Sequence, residues 1–396
     1  MLKNFWYAVA FSHEITDKPT RLTVLGQQLV AFRQKRSGKV VVMSDLCVHR
    51  GGALSGGWVD DKDCIVCPYH GWEYDADGKA VRIPANQPGR PIPKKARVDS
   101  YPVVEKYHFV WTFLGDLPEA ERPPIPDWDE HFNDPRLRPV FGEFRWNANY
   151  ERVLENGVDI AHTPWVHGGA FGNRERPEVE EYEPAITDWS AEATTKQNPP
   201  KQNVRGIWKW VYRKEPKDIV TTAGWFMPSL IRLHVRLPLG DMIIYDTNIP
   251  IDDQTTLTKF IAFRSFFTGK WADRDALRRT YRIFNQDQAV VEGQRPELLP
   301  VDLAGELHMR SDALSMAYRR RRQELLDRGW GIEADRVVGS GPRTEATVIP
   351  SPARREGDYS RAWVMKEVPT RRTSREQPDR APLSTTSAHI TSGGTE

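Results

Sequence analysis

Two short clusters carry the residues best suited to chemistry: Cys47-Val-His49 and Cys67-Pro-Tyr-His70, with seventeen residues between them. Each holds one soft sulfur and one imidazole. Each also runs into glycine, Arg50-Gly51-Gly52 after the first and Gly71-Trp72 after the second. Such segments form loops, and two loops can close over a small inorganic core from opposite sides. Two Cys and two His shared in this way match a [2Fe–2S] centre in which imidazoles replace thiolates on one iron. A structural zinc site also accepts two Cys and two His. Zinc fingers keep like ligands together, however, whereas here each loop mixes them.

The chain has three cysteines, Cys47, Cys64 and Cys67, so a disulfide framework is excluded by arithmetic. Cys64, three residues before Cys67, is expected as a small buried residue on the strand entering the loop.

A second constellation is Asn156-Gly-Val-Asp159-Ile-Ala-His162-Thr-Pro164-Trp-Val-His167. Asp159 and His162 are about 60° apart round a helix and share a face. His162 and His167 stand about 140° apart on an ideal helix, so one metal can take both only if the helix stops or loosens. Pro164 gives a reason for such a break, and Gly168-Gly169 end the segment. Two unrelated histidines near a helix end are the plainer reading of this spacing. Two imidazoles with one carboxylate make the facial triad of non-haem Fe(II) oxygenases. Asp287 is the favoured carboxylate: Phe284 and Val291, at i−3 and i+4, put it on the apolar stripe of a helix. A carboxylate there is costly unless a cation balances it. Glu292 and Asp302 remain weaker candidates.

The elements that must position these groups follow from periodicity. Residues 20–115 read as short strands with turns at Gly26, Ser37-Gly38 and Asp77-Gly78, a small antiparallel β domain. The Pro-rich stretch 118–126 marks a boundary. Beyond it, strands are expected at 144–146, 207–212, 230–237, 242–245 and 255–263, with helices at 148–162, 273–295 and 310–327. The chain is therefore α+β: a β domain (1–118), then an antiparallel sheet with helices (119–335). Arg319-Arg-Arg-Arg322 is expected on a solvated helix face. The Pro/Ser/Thr-rich tail, 336–396, is expected to be disordered, with Trp363 as a docking candidate.

The 396 residues carry a formal net charge of +2, giving no electrostatic reason for a nucleic-acid partner. No run approaches the length of a membrane span, and the apolar start is too short for a signal peptide, so a reducing cytoplasm is expected.

Cys-x-His, seventeen residues, Cys-x₂-His, then Asn156-x₂-Asp159-x₂-His162-x₄-His167 resembles the oxygenase component of the Rieske non-haem iron oxygenases, over roughly residues 4–330. It is most similar to the single-subunit branch with vanillate and dicamba O-demethylases and pheophorbide-oxygenase-like enzymes. No extra Cys accompanies the ligand loops, unlike the disulfide-bearing Rieske proteins of respiratory chains. Asn285-Gln-Asp287, continuing to Arg295-Pro-Glu-Leu-Leu-Pro300, looks like the family's third-ligand helix.

The resemblance implies a Rieske [2Fe–2S] cluster on Cys47, His49, Cys67 and His70, and a mononuclear Fe(II) on His162, His167 and Asp287. It implies Asp159 as a carboxylate bridging centres between subunits of a head-to-tail homotrimer, with Asn156 near the iron. It further implies electrons from NAD(P)H through a reductase or ferredoxin, and O₂ used to hydroxylate or dealkylate a small, aromatic substrate. Trp208, Trp210, Trp225, Phe226, Met227, Leu230 and Ile244 are candidate pocket residues. The alternative is a Rieske electron carrier with a non-catalytic second domain, which leaves the second constellation without a purpose.

Overall fold

The structure, a computed structural model, describes residues 1–168, 173–198, 219–333, 345–356 and 362–371. Gly169, the strand expected at 207–212 with Trp208 and Trp210, and residues 334–344, 357–361 and 372–396 of the tail lie outside these residues.

The first eleven strands are β1 Phe5–Phe11, β2 Thr20–Val24, β3 Gln27–Arg33, β4 Val40–Ser44, β5 Trp58–Val59, β6 Ile65–Val66, β7 Glu73–Tyr74, β8 Ala80–Arg82, β9 Ser100–Tyr101, β10 Val103–Lys106 and β11 Phe109–Leu114. They form three small sheets, ordered β2-β3-β4-β9, β5-β6-β7-β8 and β1-β11-β10. The β2–β3 turn has positive φ at both Leu25 and Gly26 (54° and 70°), the backbone of a two-residue hairpin whose twist matches its strands. Its amides donate to Pro250 and Ile251 carbonyls (2.6 and 2.8 Å), so the hairpin tip is fastened to the second half of the chain.

That second half is built on a seven-stranded antiparallel sheet. Its strands are β12 Arg138–Trp146, β13 Ala185–Ile186, β14 Ser190–Gln197, β15 Ile219–Phe226, β16 Leu230–Leu237, β17 Gly240–Pro250 and β18 Thr256–Arg264, in the order β12-β18-β17-β16-β15-β14-β13. The described α-helices are α1 Asp129–Phe132, α2 Tyr150–Val158, α3 Thr163–Val166, α4 Asp273–Val291 and α5 Ala313–Asp327. The fold is α+β, as expected.

Strands β17 and β18 are buried on both faces, which is why they read as apolar runs rather than alternations. Ile243, Tyr245, Ile261 and Phe263 pack with Ala8 and Phe11 of β1. Ile244, Phe260 and Ala262 pack with Val153 of α2 and with Phe284 and Val291 of α4. Strand β14 was not expected, because it buries only small or polar side chains, Ala191, Ala193, Thr195 and Gln197.

Two expectations are corrected. Arg319 and Arg322 do not lie on a solvated face. Three residues apart on α5, they share the side that meets α2, where Arg319 pairs with Glu155 (2.5 Å) and Glu306 (2.7 Å), and Arg322 pairs with Glu151. Nor is the described part of the tail loose. Ser351 Oγ and Arg354 donate to the buried Asp99 (2.8 Å; 2.7 and 2.6 Å), and Tyr101 Oη donates to the Ile349 carbonyl. Trp363 sits between Arg97 and Arg354, whose guanidinium carbons lie 4.3 and 4.4 Å from its ring centre. Sparse aliphatics suffice because Val348, Ile349 and Val368 are all buried.

Candidate active site

The two Cys/His loops have matching backbones. In each, the carbonyl of the residue five after the Cys accepts the Cys amide, and the Cys carbonyl accepts the amide four residues on: Cys47 N–H donates to Gly52 O and Gly51 N–H to Cys47 O (2.9 and 2.8 Å). The second loop repeats this as Cys67 N–H to Trp72 O and Gly71 N–H to Cys67 O (2.8 and 3.0 Å). Closing them requires positive φ four residues after each Cys, supplied by Gly51 (66°) and Gly71 (69°). The sulfurs point inward, with Cys47 and Cys67 buried in one apolar cluster beside Ile65 and Tyr74. The imidazoles point outward: His49 and His70 are exposed, with ring centres 4.5 Å apart, and His49 stacks on Trp72.

This donor set fits a binuclear centre. Burial raises the Cys47 thiol, and the neighbouring Cys67 adds to that, although a 3.0 Å contact with Tyr74 Oη works the other way. Two adjacent thiolates in an apolar setting need positive iron beside them. The three cysteines are all free.

The second constellation also comes together, although by a different local structure from the one expected. Helix α2 begins at Asn149, whose side chain accepts the Glu151 amide, and ends before Asp159, whose backbone is extended (ψ 126°). The break therefore precedes His162. Pro164 occupies the first turn of a new one-turn helix, α3, where its missing amide costs nothing. His162 and His167 flank that turn at its two ends. Gly157 lets α2 lie close to the sheet: a Cβ there would fall 2.5 Å from Ile231 Cδ1.

Helix α4 buries Thr280, Phe284, Asp287 and Val291 along one stripe. Asp287 Oδ1 thereby lies 3.0 Å from His167 Nε2 and 3.5 Å from His162 Nε2, and the two Nε2 atoms are 3.2 Å apart. Ligands bonded at about 2.1 Å to one ion stand roughly 3.0–3.4 Å from one another. Asp287 Oδ1 is buried with no hydrogen bond, the state of a ligand atom reserved for a cation. No other group of three such ligands clusters this tightly among the described residues.

The electrostatics agree. Burial opposes a charge on His162, but the Asp159 and Asp287 carboxylates outweigh it and hold the imidazole up at about 9. Burial likewise opposes ionisation of Asp287, and His162 and His167 overcome it, holding the carboxyl below its usual range. The site favours positive charge at the point where the three atoms converge. Asp159 accepts the Ala161 amide through Oδ1 (2.8 Å) and turns Oδ2 toward His162 Nδ1 at 3.7 Å, too far for a hydrogen bond. Glu292 and Asp302 stand elsewhere: Glu292 accepts the Asn147 amide, and Asp302 caps a short turn.

Above the triad is a cavity of about 100 Å³. Apolar walls come from Ile231, Leu233, Val235, Met242, Ile244 and Phe284, and Asn156 and Asp159 also line it. Of the residues proposed as pocket walls, Ile244 lines it, whereas Trp225, Phe226, Met227 and Leu230 belong to the core. Trp225 donates instead to the Leu314 carbonyl (2.9 Å). Three residues were not anticipated. Gln286 Oε1 accepts from His167 Nδ1 at 3.0 Å, which leaves the His167 Nε2 lone pair for a metal. Asp246 and Asn248 line the cavity from β17, and the polar run Asp246-Thr-Asn248 inside a buried strand was the available signal.

Residues 5–105 match the Rieske [2Fe-2S] domain, and residues 146–328 match the Vanillate O-demethylase oxygenase C-terminal domain. The chain belongs to the Rieske non-haem iron oxygenases, as a terminal oxygenase component carrying a Rieske cluster and a mononuclear iron. It is 30% identical to the methylxanthine N1-demethylase NdmA of Pseudomonas putida, over 82% of this chain and 89% of that protein. It is 35% identical to the oxygenase component of dicamba O-demethylase from Stenotrophomonas maltophilia, over 42% of this chain and 48% of that one. The solved structure of Pseudomonas putida NdmA with caffeine superposes with a TM-score of 0.69 at 27% identity, over 82% of this chain and 91% of that one. Among the described residues no helix is long and apolar enough to cross a membrane.

Proposed function

We propose that this chain removes a methyl group from a small, aromatic or heteroaromatic molecule, with Cys47, His49, Cys67 and His70 holding the cluster and His162, His167 and Asp287 holding the iron. The observation that carries this is the apolar cavity ending on three convergent ligand atoms, one of them an orphaned carboxylate oxygen. The NdmA and dicamba relatives, an N-demethylase and an O-demethylase by name, support methyl groups as targets. When bound, the iron centres supply the redox chemistry: two electrons and two protons reduce O₂, one oxygen atom enters a methyl C–H bond and the other leaves as water. A hydroxymethyl group on nitrogen or oxygen then breaks its C–N or C–O bond, returning N–H or O–H and formaldehyde.

The chain's own residues do the positioning. Gln286 fixes the tautomer of His167, and the Asp159 carboxylate, 3.7 Å from His162 Nδ1, acts on His162 through its charge. The apolar walls hold the substrate and exclude water. Exposed His49 and His70 offer the cluster's edge to a partner, and Asp159, about one-third exposed, offers a carboxylate between His162 and solvent. This supports electron passage from a neighbouring copy's cluster in a homotrimer, with a separate NAD(P)H-dependent reductase or ferredoxin as donor. Two thiolate ligands are consistent with a reducing compartment such as the cytoplasm, and support that reading.

The test is turnover of N- or O-methylated aromatics with a surrogate reductase and NADH. Formaldehyde formed in equal amount to O₂ consumed supports the reading; O₂ consumption without formaldehyde from any methylated compound overturns it.

A further inference from the structure

Four polar atoms that are buried without a partner belong to residues lining the cavity above the triad: His162 Nδ1, Asp287 Oδ1, Asp246 Oδ1 and Asn248 Nδ2. The first two belong to the iron-binding group. The other two have no such explanation, and a folded protein seldom leaves a buried donor and a buried acid both unmet.

Asp246 and Asn248 are two residues apart on β17, so their side chains leave the same face, rooted about 6.7 Å apart. Asn248 is fully buried and its orientation is fixed by a relay. Trp146 Nε1 donates to Thr258 Oγ1 (2.8 Å), and Thr258 Oγ1 donates to Asn248 Oδ1 (2.6 Å). With its carbonyl used, the amide has only N–H left to offer the cavity. Asp246 is 4% exposed and its cross-strand neighbours, Ile231 and Phe260, are apolar. Burial first, then the negative Asp287, lifts its carboxyl to about 8. No Lys or Arg lines the cavity among the described residues, and Asp246 and Asn248 stand on β17, apart from the His162, His167 and Asp287 group on the helices.

We propose that Asp246 and Asn248 form the recognition edge of the cavity and select an uncharged substrate presenting a carbonyl and an adjacent N–H, as an amide or a lactam ring does. The carbonyl accepts from Asn248 Nδ2–H and the N–H donates to Asp246. This rests on the oxygenase reading and adds the substrate class to it.

The test is calorimetric binding to the iron-loaded enzyme without reductant, using 3-methoxybenzamide, 3-methoxybenzoate and anisole. The amide is expected to bind roughly 10- to 100-fold more tightly than either of the others. Asn248→Ala and Asp246→Leu are expected to remove that preference while leaving anisole within about threefold, whereas Asp246→Asn, which keeps an acceptor, retains it. Asp246→Leu should also raise Tm, because an unmet buried acid is replaced by an apolar side chain. If the variants do not fold, the wild-type ranking decides alone. Equal binding of the three compounds, preference for the benzoate, or unchanged amide affinity in folded variants overturns the proposal. Amide selection without formaldehyde from any methylated compound would sink the oxygenase reading and leave this edge standing. Formaldehyde release with the benzoate preferred would do the reverse.

Discussion

The two candidate metal-binding regions of this chain are built in opposite ways. The Cys47 and Cys67 loops are local, repeat one backbone design, and present His49 and His70 at the surface. The His162, His167 and Asp287 centre joins a one-turn helix to a residue 120 positions away on another helix, and buries the result under the sheet. The first needs only two loops and their glycines. The second needs the whole domain to pack correctly before its ligands meet. An electron-entry point belongs at the surface, and a centre that reacts with O₂ beside a substrate belongs in an apolar cavity.

If the regions are separate, each can be destroyed without the other. Cys67→Ser is expected to abolish both turnover and the visible absorbance, leaving about one iron per chain. His162→Ala is expected to abolish turnover too, but with the absorbance intact and about two irons retained. Bleaching of the cluster by His162→Ala would mean that the regions are not independent.

The buried centre should also depend on distant packing, as the loops do not. Arg319→Met strips Glu155 and Glu306 of a buried partner and is expected to cost about 3–5 kcal/mol, read as a fall in Tm with the cluster spectrum unchanged. A Tm within error of wild type would show that the ion pairs do not anchor α2.

Smaller effects distinguish the residues around the iron. Gln286→Leu is expected to weaken ferrous-ion binding roughly 10- to 100-fold, measured by competition with a chelator. Asp159→Asn is expected to keep both centres loaded and to slow electron transfer between them in single-turnover mixing. Normal kinetics in that variant would remove Asp159 from the electron path.

This contrast explains what could be read from the sequence. The paired loops were legible because spacing and glycine are local signals, and the inward face of Asp287 was legible from Phe284 and Val291. The role of Pro164 was misjudged because a proline that breaks one helix and a proline that opens the next look alike in sequence. Arg319 and Arg322 read as solvated because their partners, Glu151, Glu155 and Glu306, lie far away in the chain. Trp225 read as a pocket wall because nothing local tells a core tryptophan from a lining one. Asp99, holding Ser351 and Arg354, shows how a compositionally unpromising tail can be anchored by one buried charge pair and three aliphatics.

The most direct measurement is the ratio of iron to acid-labile sulfide in anaerobically reconstituted protein, compared with that of His162→Ala. Two independent centres require about three irons for two sulfides in the wild type and about two for two in the variant. Two irons for two sulfides in both proteins, with no further ferrous ion taken up by the wild type, would contradict the account.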